Sequence, residues 1–181
     1  MQPNARVDGF RGEFLWELDI VERQLKAIAA AISAEKYGWR PNEKARSVSE
    51  ILVHVAAGNF TLLEAAGTLV PRDLYPDASG QGEERAWSLI RRNDELEKTI
   101  RDRGGVSEIL NRSIEAVRGS VAACDETELD RRLQFFGEQT TVRRVYLRLL
   151  AHAHQHMGQM IAYLRMNGLN PPWPDWRPDR Q

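Results

Sequence analysis

Near the start of the chain, apolar residues recur at alternating spacings of four and three: Phe14, Leu18, Val21, Leu25, Ile28 and Ile32. This pattern predicts an amphipathic helix from Phe10 to about Ser33 with one buried stripe. The helix should end near Tyr37-Gly38-Trp39-Arg40-Pro41, where glycine permits a left-handed turn and proline disfavours a helical Arg40. Ser47-Val48-Ser49-Glu50 then has the form of a capping box, so a second helix starts at Ser47. Ile51, His54, Gly58, Thr61, Leu62 and Ala65 fall on one side of its wheel, which turns His54 inward and leaves room beside it at Gly58.

From Gly67 to about Gly105 the pattern weakens, with Pro71, Pro76, Gly80 and Gly82 breaking any long element. A helical piece from Glu83 to about Leu96 carries only Trp87, Ile90 and Leu96 as apolar positions, so this stretch reads as a long crossover containing a short helix. A third core helix follows from about Val106 to Ala123, burying Val106, Leu110, Ile114, Val117 and Val121. Asp125-Glu126-Thr127-Glu128 reads as a short capped turn. After Phe135-Phe136-Gly137, a fourth core helix runs from near Thr140 to about Met166 and stops before Gly168 and Pro171-Pro172. Its inward stripe is Val142, Val145, Leu149, His152, Ala153, His156, Met160 and Tyr163. A second apolar strip, Leu147, Leu150, Met157 and Ile161, lies roughly 100° around the wheel. A helix with two apolar sides is either central or meets a second subunit. The reading is therefore all-α, with four core helices in one domain over residues 1–181 and no internal repeat.

Charge narrows the partners. Twenty-five basic against 26 acidic residues leave a net charge of −1, so no global field recruits nucleic acid or an anionic membrane. Cys124 is the single cysteine, which excludes an intrachain disulfide framework and fits a reducing cytosol. Met1 to Gly9 lacks an apolar export signal, and no window approaches ~18 uninterrupted apolar residues. A soluble, cytoplasmic protein is expected.

Three of the four histidines lie between Ala151 and Met160. Four residues apart on a helix, His152 and His156 project from one face, whereas His154 points nearly opposite and reads as a surface or interface residue. A metal site built on that pair needs a further ligand, and His54 is the only histidine left. Three neutral imidazoles with one position open suit zinc or another late first-row divalent ion, and a bundle interior supplies two from one helix and one from a neighbour. Buried, hydrogen-bonded core histidines share the same spacing, so spacing and phase leave both readings open. Glu50, one turn before His54, is placed to cap, to orient the imidazole or to ligate, and the box pattern favours the cap. It is also the only candidate general base.

His152-Ala153-His154-Gln155-His156-Met157-Gly158-Gln159, followed by Ile161 to Trp173, resembles the DinB/YfiT-like family of metal-dependent helical-bundle proteins. This DinB is the damage-inducible family, not the DNA polymerase that shares the label. Arg46 to Ala56 looks like the family's second-helix segment, which carries its first metal histidine, and Phe135 to Thr141 looks like its lead into the last helix. The likeness runs from about Trp39 to Trp173 and is weakest in the crossover. It implies a four-helix bundle with the crossover between helices two and three, a three-histidine site on His54, His152 and His156, a zinc- or nickel-type ion, and a homodimer. Gln159 belongs to the motif but lies roughly 60° off the ligand stripe, so hydrogen bonding, helix packing and substrate contact all remain open to it.

Relatives of this fold include thiol-dependent transferases and a thiol-dependent isomerase. The resemblance therefore implies a metal-dependent enzyme acting on a small-molecule substrate, of the thiol S-transferase or detoxification type or a hydrolase, with a low-molecular-weight thiol as a further cofactor. One alternative is a non-catalytic metal-binding or stress-associated bundle, whose zinc would be closed by a fourth protein ligand, Glu50 being nearest. Another is a plain helical interaction module using Leu147, Leu150 and Ile161. Trp39, Trp173 and Trp176 lie in loops that either cap the core or wall the site mouth.

Overall fold

A computed structural model describes residues 9–173; the N-terminal stretch expected to lack an export signal lies almost wholly outside them, and Trp176 lies outside them. The first helix, α1 (Gly9–Ala31), buries five residues of the predicted stripe, and the sixth, Ile32, is buried just past its end. It stops slightly early, and a 3-10 turn over Ala34–Lys36 follows. Tyr37 then tucks back, its hydroxyl donating to the Ala29 carbonyl at 2.8 Å. The second helix, α2 (Val48–Ala65), carries the expected capping box: the Glu50 amide donates to Ser47 Oγ at 3.3 Å, and Glu50 Oε2 accepts from the Ser47 amide at 2.8 Å.

The crossover holds a longer helix than expected, α3 (Gly82–Thr99), and its buried residues are Leu89, Leu96 and Glu97. Trp87, read as apolar payload, is 53% exposed. The next helix, α4 (Arg103–Ala123), is capped by Asp102, and the expected short turn is α5 (Glu126–Leu129), capped by Asp125. An unforeseen antiparallel hairpin follows, β1 (Arg132–Phe135) and β2 (Glu138–Thr141), with Phe135 opposite Glu138. Its two turn residues, Phe136 at φ 50° and Gly137 at φ 81°, are both left-handed, which suits the twist of a two-residue hairpin loop. Thr141 closes β2 and caps the last helix, α6 (Val142–Met166).

Both α4 and α6 pack against α1 and against α2, so α1 and α2 take opposite corners of a four-helix bundle, and α3 lies outside it against α2. Covered on three sides, α2 is buried nearly all round, with Ile51, Leu52, Val53, Val55, Ala56 and Ala57 fully enclosed. This corrects the wheel reading of α2. The His54, Gly58, Thr61 and Ala65 side is its least covered face. It looks towards α3 and α6, and that opening is what makes room for a site.

Candidate metal centre

His54 projects from the open side of α2, and His152 and His156 come from successive turns of α6. The two helices run antiparallel here, so that His54 meets both rings, at centroid distances of 4.9 Å to His152 and 4.6 Å to His156, while Gly58 lies against His152. Nε2 of His54 is 3.1 Å from Nε2 of His152, and one ring nitrogen from each of the three histidines lies within 4.8 Å of the others. The sequence-predicted trio is therefore assembled. His154 points away, as its phase requires, with Nε2 2.9 Å from Glu17 Oε1 on α1.

Behind the trio runs a chain of hydrogen bonds. His54 Nδ1 lies 2.6 Å from Glu97 Oε1, and Arg46 Nε donates to Glu97 Oε2 at 2.6 Å. On the other side, His156 Nδ1 lies 3.1 Å from Gln159 Oε1. Gln159 Nε2 donates to the Tyr163 hydroxyl at 3.3 Å, and that hydroxyl donates to the Arg46 carbonyl at 3.0 Å. Arg46 thus joins the two arms, one through its guanidinium and one through its backbone. A carboxylate and an amide oxygen on the two Nδ1 atoms put the protons there and leave Nε2 of His54 and His156 as lone-pair donors facing inward.

Electrostatics favours the same state. Burial pushes the Glu97 carboxyl up, but hydrogen bonds from His54 and Arg46 outweigh it and hold the group ionised below its ordinary range. Burial lowers His152 to about 3, helped by the positive charges around it. It also lowers His156, partly opposed by the Gln159 hydrogen bond. Both rings are neutral at neutral pH, the form that ligates. His152 Nδ1 is the one buried side-chain nitrogen or oxygen with no hydrogen-bond partner among the described residues. An orphan of this kind costs about 1–3 kcal/mol, so the ring is held there at the expense of stability.

Glu50, offered as cap, orienting group, ligand or base, is occupied by the capping box and by Arg40 Nη2, 2.9 Å from its Oε1. Orientation of His54 falls instead to Glu97, which sequence reasoning missed. It sits 43 residues from His54 on a polar helix, and no spacing rule connects the two. Gln159 takes the hydrogen-bonding role among those left open for it. Trp39 packs edge-on against Tyr163 at a centroid distance of 5.2 Å, and Trp39 and Trp173 both lie against the core. A cleft of about 230 Å³ between α1 and α4 is lined by Lys26, Arg103 and Asn111 among others, and holds none of these histidines.

Residues 17–160 match the family model of the DinB superfamily. The chain belongs to that superfamily. Among solved structures, this DinB-superfamily chain is similar to a DinB-like protein from Bacillus subtilis, YjoA, with 17% identity, a TM-score of 0.63, and 91% of this chain and 98% of that one covered. A DinB-like protein from Bacillus cereus gives 16% identity, a TM-score of 0.56, and 93% and 97% coverage. YfiT from Bacillus subtilis, described as a probable metal-dependent hydrolase with an unusual four-helix bundle topology, gives 15%, 0.63, and 94% and 95%. At such identities the likeness is one of fold. No curated protein sequence matches the chain.

Proposed function

We propose that this chain is a metal-dependent enzyme that holds a divalent ion, zinc or nickel, on Nε2 of His54, His152 and His156. The observation that carries the reading is the convergence of one ring nitrogen from each histidine, with Nδ1 of His54 and of His156 already committed to other partners. The 3.1 Å between Nε2 of His54 and of His152 lies close to the roughly 3.3 Å that two ligands 2.0–2.1 Å from a tetrahedral ion require. Glu97 and Gln159 hold the protons on Nδ1 of His54 and His156, and burial keeps His152 and His156 uncharged. Among the described residues the cluster offers three ligands. With Glu50 engaged elsewhere, the centre matches the open arrangement of catalytic sites more closely than the closed four-ligand structural kind.

When bound, the ion supplies Lewis acidity, lowering the pKa of a coordinated water or thiol and polarising a carbonyl. The reaction we favour is transfer to or from a small-molecule electrophile with a low-molecular-weight thiol, with hydrolysis as the alternative that the description of YfiT supports. We place the protein in the cytoplasm; among its described residues no helix is long and apolar enough to cross a membrane. We also propose a homodimer through the outer strip of α6, where Leu147 is 46% exposed and Leu150 and Ile161 are half-buried. Elemental analysis of the purified protein and of single alanine variants tests the metal reading. His54→Ala, His152→Ala and His156→Ala should each lose the ion and His154→Ala should keep it; loss in His154→Ala alone would overturn the assignment. A screen of low-molecular-weight thiols against electrophiles, beside simple esters and amides, then separates transferase from hydrolase.

A further inference from the structure

We propose that Arg148 forms an anion-binding subsite beside the three-histidine centre, so that the substrate is a small molecule carrying a carboxylate or similar anionic group about one helical turn from its metal-directed end. The inference rests on the metal reading above and adds the charge of the ligand to it.

Arg148 precedes His152 by four residues on α6, which stacks the two side chains on one side of the helix at a rise of about 6 Å. Because α2 and α6 are antiparallel and Gly58 lies against His152, the turn holding Arg148 runs beside Thr61 on the least covered side of α2. The opposite bank of that opening is α3, whose Asn93 Nδ2 donates to Thr61 Oγ1 at 2.8 Å and whose Glu97 is taken up by His54 and Arg46. The opening thus has Gly58, Thr61 and Ala65 along its floor and histidines at one end, and the phase of α6 sets the half-buried Arg148 one turn before His152 on the histidine side.

The state of Arg148 distinguishes it from the other arginines. Six more, Arg23, Arg72, Arg91, Arg132, Arg144 and Arg165, make no ion pair or side-chain hydrogen bond among the described residues, and all six are exposed. Arg148 alone combines the lack of such a partner with partial burial. Water can satisfy an exposed guanidinium, but one partly withdrawn from water gains from an anion, and its planar fork fits a carboxylate with two parallel hydrogen bonds. The other arginine on this side of the molecule, Arg46, is neutralised by Glu97, which leaves Arg148 as the uncompensated one of the two.

The test uses the cobalt(II)-loaded full chain and two thiols that differ in charge, 3-mercaptopropionate and neutral 2-mercaptoethanol, followed by the sulfur-to-cobalt absorption band. The wild type should bind the carboxylate thiol about fivefold or more tightly than the neutral one, with a preference that shrinks as salt rises. Arg148→Gln should abolish the preference while cobalt affinity and binding of 2-mercaptoethanol stay unchanged, and Arg148→Lys should restore part of it. Equal binding of the two thiols by the wild type, or a preference that survives in Arg148→Gln, overturns the proposal. Failure to take up cobalt at all is a different result, which refutes the three-histidine reading and this inference with it.

Discussion

Substitution of Gly58 by alanine should separate folding from metal binding. A glycine inside a helix costs about 0.8–1.0 kcal/mol relative to alanine, so the change ordinarily stabilises. At this position a Cβ would stand 2.6 Å from His152 Cε1 and 3.0 Å from its Nδ1. Ordinary contact begins near 3.4 Å, so the imidazole must retreat by about 0.8 Å. That exceeds the roughly 0.5 Å within which a binding constellation has to be held, and it draws Nε2 away from the 3.1 Å approach to His54. Loss of an outer hydrogen-bonding partner alone typically costs 10–100-fold in metal affinity, so displacing a ligand should cost about 100-fold or more. The metal-free protein should meanwhile keep its melting temperature or gain about 2–4 °C. Competition titration of zinc against a chromophoric chelator, paired with thermal unfolding of the apo protein, reads both quantities. A Gly58→Ala protein that binds zinc as tightly as wild type would refute the placement of His152 as a ligand backed by α2.

The outer hydrogen bonds should show a similar split. Glu97→Gln and Gln159→Leu should each weaken zinc binding about 10–100-fold with little loss of helix content, and nitrogen NMR of the apo imidazoles should show the first disturbing the Nδ1–H form of His54 and the second that of His156; unchanged tautomers in both would dismiss the positioning roles. Acid stability carries its own sign. The unfolded chain protonates His152 near 6.5 and the folded chain only near about 3, so apo stability should fall as pH drops through that window and be retained above it. His152→Leu should flatten that part of a urea-unfolding series against pH, and an unaltered slope would count against the buried neutral ring. Finally, Leu150→Glu should give a monomer in sedimentation; a variant that stays dimeric puts the interface elsewhere.

Where one element buries one face, periodicity was enough: Phe14, Leu18, Val21, Leu25, Ile28 and Ile32 are all core, and the Ser47 box starts α2 as read. It misled on α2, because a helix flanked by α3, α4 and α6 has no single apolar stripe to find, and the face that looked inward is the one left open. The hairpin escaped notice because each strand has only four residues, none of them buried and only β1 alternating between exposed and half-buried, and because the left-handed turn uses Phe136 in place of the usual asparagine or aspartate. His152 and His156 were legible from their phase and from the motif ending in Gln159, and His54 from the likeness of Arg46 to Ala56 to the family's second helix. Glu97 was not, since a carboxylate arriving from a crossover helix is defined by a tertiary contact. Arg46 likewise joins both arms only because the loop before α2 passes under Tyr163.

The most direct test of the metal centre is X-ray absorption at the zinc edge of the reconstituted protein. About one ion per chain is expected, with three imidazole nitrogens at about 2.0–2.1 Å and a fourth, light-atom ligand from solvent. Fewer than three imidazoles, or a shell completed by a protein carboxylate, would contradict that centre.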